Sequence, residues 1–445
     1  MNRRDFVKTG AGAFAIASSG YAVGALAPSN RVRLAVMGCH AKGRGFHVMQ
    51  NAIKVPGVEI AVVCDVDSRA MDAAAAKIKE LTGKEPRKEK DVRKVLAMKD
   101  VDGILGETPD HWHAWSAWAA MKQGKAVYVE KPCSFCQRES EILLATQRET
   151  NGIFQMGNQR RSASANVEAI KAIRAGAIGE PTWGKAWYMA RRKPIGVGKP
   201  AAVPDWLDWD LWQGPAARTG FHDNYVHYNW HWFHRWGTGE NGNNAPHFTD
   251  VVRWALGEEG YPVRTTAGGG RFFYEGDDWE WPDSVNATWE FADRKFITWE
   301  CMSCVLNNPY MGTSTGGMVY GLDGAVLFRA NATAALFDKS GKMVREWTDG
   351  DNRAPTPELN RVMSFGSRDV AHLARFAECI RARDPRTAST AEDAVKSVSM
   401  THFANIAQLS GETVRADART GALVGATPEL AKFWGREYEK GWEMA

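Results

Sequence analysis

The sequence predicts an α/β chain built on a doubly wound parallel sheet, and three observations predict it. Short apolar runs alternate with amphipathic segments from Val32 to Pro132, the first run turns through a glycine-rich loop into a helix pattern, and the second run ends on a carboxylate. The first strand is Val32–Met37. Gly38-Cys39-His40-Ala41-Lys42-Gly43-Arg44-Gly45 then leads into an amphipathic segment running to about Ile53. A turn of this kind lets the backbone approach a pyrophosphate, whose charge the helix N-terminus favours. The turn departs from G-x-G-x-x-G at its middle position, which is His40. The second strand, Glu59–Cys64, ends at Asp65, 22 residues beyond Gly43. A carboxylate there accepts from both adenosine ribose hydroxyls and repels a 2'-phosphate, so NAD is favoured over NADP, with Arg44 and Arg69 able to moderate the repulsion. Helices follow at Ser68 to Leu81 and Val92 to Met98, a strand at Gly103 to Glu107, a helix at Trp112 to Gln123, and a buried strand from Ala126 into Glu130-Lys131-Pro132. In such sheets the carboxyl ends of the strands form the ligand crevice, onto which Thr108, Pro109, His113, Glu130 and Lys131 open.

Residues 1–30 read as a targeting segment and linker. Asn2-Arg3-Arg4-Asp5-Phe6-Val7-Lys8 precedes a small, apolar run from Thr9 to Leu26, the pattern of a twin-arginine leader, with Ala25-Leu26-Ala27 or Ala22 as cleavage points. Such export carries proteins already folded, so a periplasmic or exported enzyme that loads its soluble cofactor beforehand is expected. Composition fits ordinary globular domains: 445 residues, 44% hydrophobic and 24% charged, enough for two cores. A net charge of +4 gives no electrostatic case for nucleic acid, and beyond the leader no apolar run is long enough to span a bilayer. Seven cysteines, an odd number, argue against a fully paired disulfide framework. Of the 19 tryptophans, many lie between Trp183 and Trp299, where indole faces can stack on sugar C–H faces or simply pack in the core.

The glycine turn, Thr108-Pro109 with His113, and Glu130-Lys131-Pro132 resemble the glucose-fructose oxidoreductase / inositol dehydrogenase / MocA family. The likeness continues through Gly157-Asn158-Gln159-Arg160, Trp209-Asp210-Leu211-Trp212-Gln213-Gly214-Pro215, and Gly237 to His247, covering nearly everything after residue 30. The resemblance implies a Rossmann domain at 31–158 and an α+β substrate and oligomerisation domain at 159–445, with an open, mostly antiparallel sheet. It also implies a sugar or polyol substrate and a homodimer or homotetramer. Strand-like runs at Gly184 to Ala190, Val263 to Tyr274, Ser284 to Phe291, Lys295 to Cys304 and Gly324 to Arg329 supply that sheet, and helical patterns at about Asp369 to Arg383 and Ala391 to Gln408 pack back on the first domain.

Oxidising a secondary alcohol needs a hydride acceptor, a group for the hydroxyl proton and donors for the developing alkoxide. By resemblance, Lys131 faces the substrate hydroxyl beside the nicotinamide and His247 reaches it from the sheet domain. Gly38, Cys39, His40, Gly43, Arg44, Asp65, Thr108, Pro109, His113, Glu130, Lys131 and Gln159 are the candidate cofactor residues. Arg160, Tyr228, Trp230, His231, Glu240 and Asn243 are the candidate substrate residues. Asn243 stands where many family dehydrogenases carry aspartate, and Glu240, Asp250 or Asp223 are candidates to replace that carboxylate. Phe221 to His234 holds four histidines, but intervals of five, four and three fit no short chelating motif, and neither do Cys133/Cys136 with Cys301/Cys304; no metal is expected. Three functions remain open. The first is an NAD-dependent oxidoreductase acting on a sugar ring hydroxyl, C3 being favoured, with a tightly bound, recycled cofactor. The second resembles the NAD-dependent glycosidases related to the family, including α-N-acetylgalactosaminidases, in which transient C3 oxidation permits elimination of the glycosidic bond. The third is a non-catalytic sugar-binding protein.

Overall fold

The computed structural model describes residues 31–305, 310–349 and 367–444, so the leader lies outside the described residues. Apolar runs too short for helices pair side by side as β1 (Val32–Met37), β2 (Val58–Cys64), β3 (Arg87–Glu89), β4 (Gly103–Gly106), β5 (Ala126–Val129) and β6 (Phe154–Met156). All neighbours are parallel, in the order β3-β2-β1-β4-β5-β6. Every residue of β4 and β5 is buried, as expected for strands covered on both faces. Strand order reverses between β1 and β4, and that switch point is where a parallel sheet opens a crevice beyond its carboxyl ends. Asp67 caps the helix Ser68–Thr82 by accepting from the Arg69 and Ala70 N–H groups.

Among the described residues the second sheet has nine strands: β7 (Pro181–Met189), β8 (Arg264–Gly270), β9 (Ser284–Glu290), β10 (Phe296–Met302), β11 (Thr315–Gly321), β12 (Gly324–Arg329), β13 (Ala334–Asp338), β14 (Met343–Trp347) and β15 (Val414–Arg415). Their order is β14-β13-β12-β11-β7-β10-β9-β8-β15; β7 and β10 run parallel and the other pairs antiparallel. Alternation in β9 and β10 sends Val285, Ala287, Trp289, Ile297, Trp299 and Cys301 to one face. There they meet the helices Ser164–Arg174, Pro246–Leu256 and Ala391–Ser410 through Ile170, Phe248, Val252, Leu256 and Met400. The strand expectations for β7 to β10 and β12 hold to within a few residues; β11, β13 and β14 have no counterpart among them. Adjacent glycines in β11 and full exposure along most of β14 erase the alternation that marks a strand.

The helix Ser367–Ala382 lies back on the first sheet's helix Arg44–Ile53, with Val370, Leu373 and Phe376 packed against Val48, Met49 and Tyr128. Among the described residues no helix is long and apolar enough to cross a membrane. All seven cysteines are free thiols.

Between the sheets the chain crosses through Asn158 and a short 3-10 turn, Gln159–Ser162, anchored on one buried carboxylate. Asp250 accepts from Arg161 at 2.8 to 3.2 Å, from Asn158 Nδ2 at 2.9 Å and from Ser397 Oγ at 2.7 Å. The Arg161 charge holds its pKa below the usual carboxylate value against the opposing effect of burial. Asp250→Ala leaves the buried Arg161 without its main partner and should cost about 3–5 kcal/mol, read as a lower thermal midpoint. An unchanged midpoint would show that the crossing is held by packing alone.

Candidate active site

A cavity of about 520 Å³ opens beyond β1, β2, β4 and β5. Its floor is the glycine turn. Gly38 adopts φ +78°, and a Cβ there would stand 2.5 Å from the Glu107 carbonyl oxygen. The tightest approach is at Gly45, where a Cβ would come within 1.8 Å of the Gly38 carbonyl oxygen, so Gly45 rather than Gly43 performs the close packing of helix on turn. The helix Arg44–Ile53 begins here with no side-chain cap, leaving its first N–H groups to a ligand. Asp65 lines the cavity and accepts from the Cys39 N–H at 2.7 Å and the Asp67 N–H at 2.9 Å, while burial pushes its carboxyl up. Cys39 contributes that backbone group only; its thiol is buried outside the cavity lining. An uncapped helix start, a turn closed to any Cβ and a half-buried strand-end carboxylate together fit a dinucleotide.

His40, in place of the middle glycine, stacks on His227 with centroids 4.2 Å apart, and His227 Nε2 lies 2.9 Å from Asp67 Oδ2. His227 belongs to a segment that wraps over the nucleotide sheet: the Ser68 N–H donates to the Trp206 carbonyl at 2.9 Å, and the Asp208 N–H to the Val66 carbonyl at 3.0 Å. Neither nearby arginine is unengaged. Arg44 pairs with Glu130 at 3.1 Å and Asp369 at 2.7 Å; Arg69 pairs with Asp67 at 3.0 Å and lies over the Trp206 ring at 3.4 Å.

At the other end, Lys131 and His247 both line the cavity. Lys131 Nζ donates to the Asn243 carbonyl at 2.6 Å and to its side-chain Oδ1 at 3.3 Å. Burial pulls the Lys131 pKa down, opposed chiefly by Glu130. Burial also holds His247 well below its usual value, reinforced by the charges of Lys131, Arg160, Arg44 and Arg368. His113 ties two loops together, its Nδ1 2.7 Å from the Pro132 carbonyl and its Nε2 2.7 Å from the Thr108 carbonyl. Gln159 Nε2 donates to Glu130 Oε1 at 2.8 Å and to the Tyr128 hydroxyl at 3.1 Å. Pro109 and Thr108 lie in the wall.

Arg160, Tyr228, Trp230, His231 and Asn243 line the same space. Arg160 lies over the Phe248 ring at 4.0 Å and donates to the Arg329 and Ala330 carbonyls at 3.3 to 3.4 Å; burial, then the Arg368 charge, lowers its pKa to about 9. The Tyr228 hydroxyl accepts from Arg192 at 2.8 Å. His231 stacks on Trp230 at 3.6 Å and is held down to about 3 by burial. Its Nδ1 faces the Tyr228 carbonyl at 2.6 Å, so that nitrogen carries the proton and Nε2 the lone pair.

Glu240 is a correction to the sequence reading. It is buried behind the cavity wall in an ion pair with Arg192 and a hydrogen bond from Asn244, because a fully desolvated carboxylate needs charged and polar partners of its own. Asp250 is committed to Arg161, and Asp223 accepts from the Lys199 N–H at 2.9 Å outside the cavity lining. None of the three takes the aspartate's place beside His247. Most indoles between Trp183 and Trp299 pack in the core; Trp212 and Trp230, with Trp112, reach the cavity. The four histidines diverge: His222 stacks on Tyr225 and His234 lies against Trp281. Among the described residues no three metal-ligating side chains converge. Sequence reasoning missed Glu107, His227, Arg368 and Asp369 as lining residues. Only Glu107 carried a signal, an acid ending a buried strand.

The family described as an oxidoreductase family with an NAD-binding Rossmann fold matches residues 32–158. A glycosyl hydrolase family 109 protein of Saccharopolyspora erythraea is 29% identical over 202 residues, covering 42% of this chain and 43% of that protein. The scyllo-inositol 2-dehydrogenase (NAD(+)) of Bacillus subtilis is 30% identical over 165 residues, covering 37% and 46%. The matched stretches thus span less than half of these relatives. The solved structure of a levoglucosan dehydrogenase with NADH and levoglucosan shares the fold at TM-score 0.65 and 17% identity, over 86% of this chain and 99% of that one.

Asn243 gives Lys131 a neutral acceptor. Asn243→Asp should raise the Lys131 pKa, shifting the pH at which the amine becomes acylable upward, mapped by mass spectrometry of pH-dependent labelling. An unmoved labelling curve would remove Asn243 from control of that amine.

Proposed function

We propose that this chain, which belongs through its nucleotide domain to the glucose-fructose oxidoreductase / inositol dehydrogenase / MocA family, is an NAD-dependent oxidoreductase acting on a sugar or glycoside ring hydroxyl, with C3 as the reacting position. The observation that carries the reading is Lys131 beside His247 in one cavity with the uncapped helix start and Asp65. Bound NAD supplies the hydride acceptor. Lys131, depressed by burial and given only a neutral partner in Asn243, is suited to take the hydroxyl proton. His247 holds the oxygen, and Tyr228 with Trp230 offers faces to the sugar. Arg44 and Arg69 are engaged with carboxylates, which favours NAD over NADP. The wrapping segment that brings His227 onto His40 favours a retained, recycled cofactor, in keeping with periplasmic residence after twin-arginine export. The proposal includes a homodimer or homotetramer through the outer face of the second sheet, where Trp183 stacks on Tyr320 at 4.6 Å.

A second reading is glycoside hydrolysis with the same corner, in which bound NAD would supply a transient oxidation at C3 that makes the C2 proton acidic enough for elimination of the glycosidic bond, followed by water addition. The cavity-lining His231 turns Nδ1 to the Tyr228 carbonyl and keeps Nε2 as a hydrogen-bond acceptor for such a substrate, and the family 109 relatives support the reading. The third reading remains sugar binding without chemistry.

Purified protein with confirmed bound NAD, given p-nitrophenyl glycosides and no added cofactor, separates the three. Release of p-nitrophenol supports hydrolysis, cofactor reduction without release supports the dehydrogenase, and neither supports the binding protein. Lys131→Met should lower whichever rate is found by about 10²–10⁴-fold with cofactor occupancy unchanged. An undiminished rate would sink the assigned role of the lysine.

A further inference from the structure

Glu107 follows β4 at the point where the sheet opens and is one of the residues that line the cavity. Both of its carboxyl oxygens are buried and neither has a hydrogen-bond partner. A fully desolvated acid without partners is unfavourable, and far more so ionised than neutral. The groups facing it do not relieve this. Tyr128, Glu130 and Lys131 approach from β5 and its end, Arg44 from the start of the first helix, and Asp369 from the C-terminal helix. Arg44 is shared between Glu130 and Asp369, and Lys131 is turned to Asn243.

The location says what the missing partner is. A Cβ at Gly45 would stand 2.9 Å from the Glu107 Cβ, so the side chain is rooted against the turn and helix start that fit a dinucleotide diphosphate. A carboxylate at that spot would repel such a ligand, whereas a carboxylic acid offers it a donor. We propose that Glu107 is a cofactor contact, its acid O–H donating to an acceptor oxygen of the bound dinucleotide. The proposal rests on the NAD reading above. Burial, and then the Glu130 charge, push the Glu107 carboxyl well above the usual range, in the direction that favours the neutral acid.

The sign follows: the donor is present below that raised pKa and lost as pH rises through it, so cofactor retention weakens toward alkaline pH. The full chain, loaded with NAD⁺ and rapidly desalted, is followed by mass spectrometry of retained dinucleotide between about pH 6 and 9. Wild type should release faster as pH rises. E107Q, a neutral donor of the same shape, should hold NAD⁺ at the lower pH and lose the alkaline acceleration. E107M, without a donor, should release it about tenfold faster at the lower pH, while its cofactor-free form melts no lower than wild type, since an unpartnered buried acid has been removed. Equal release from wild type and E107M overturns the proposal, as does an alkaline acceleration that persists in E107Q. Restoration of alkaline retention by added Mg²⁺ also overturns it, making the group a cation ligand. If wild type takes up no NAD⁺ at any pH, the cofactor reading itself fails, a result distinct from loss in E107M alone.

Discussion

The Arg44 guanidinium is the tie on which the site's geometry depends. It stands at the start of the first helix, reaches Glu130 next to Lys131, and forks onto Asp369 of the helix that returns from the far end of the chain. One planar cation thereby fixes the nucleotide turn, the end of β5 and the C-terminal helix relative to one another. Glu130 is held on its other side by Gln159, so the strand end carrying Lys131 has little freedom. The opposing charges keep Arg44 protonated despite its burial, with its pKa raised above the ordinary value. Removing Arg44 would leave the buried Glu130 and the largely buried Asp369 as desolvated carboxylates rather than merely loosened contacts.

Around that tie the chain manages charge by withholding it. Asn243 answers Lys131 with a carbonyl and an amide oxygen instead of a carboxylate, and His247 faces several cations rather than an anion. Burial lowers the pKa of both groups, which shifts each toward the uncharged state a proton acceptor requires. Carboxylates that might have neutralised the corner are spent elsewhere: Glu240 on Arg192 and Asp250 on Arg161. This division separates an inner, chemically available pair from an outer scaffold of ion pairs.

Much of the nucleotide sheet was legible because buried parallel strands are short apolar runs and their helices are amphipathic, and β1 matched to the residue. The cavity positions of Lys131, His247 and Asp65 were legible too, since strand ends and glycine turns fix where side chains point. What escaped was set by distant partners. Glu240 looks like a binding residue in sequence and proves to be the counterion of Arg192, 48 positions away. Asp369 and His227 enter the site from elements whose apolar faces say where they pack but not which polar residue arrives at the cavity. The strand β14 was missed because an edge strand open to solvent has no buried face to imprint a pattern, and β13 because its burial, on Ala334, Ala335 and Phe337, does not alternate.

His40 in the glycine turn also joins the two halves of the chain. An imidazole there meets an imidazole delivered by the second half of the chain, so the floor of the crevice and its cover are in direct ring contact. The wall at this end of the crevice is therefore built by both halves of the chain, the stack of His40 on His227 sharing it with the backbone bonds from Ser68 to Trp206 and from Asp208 to Val66.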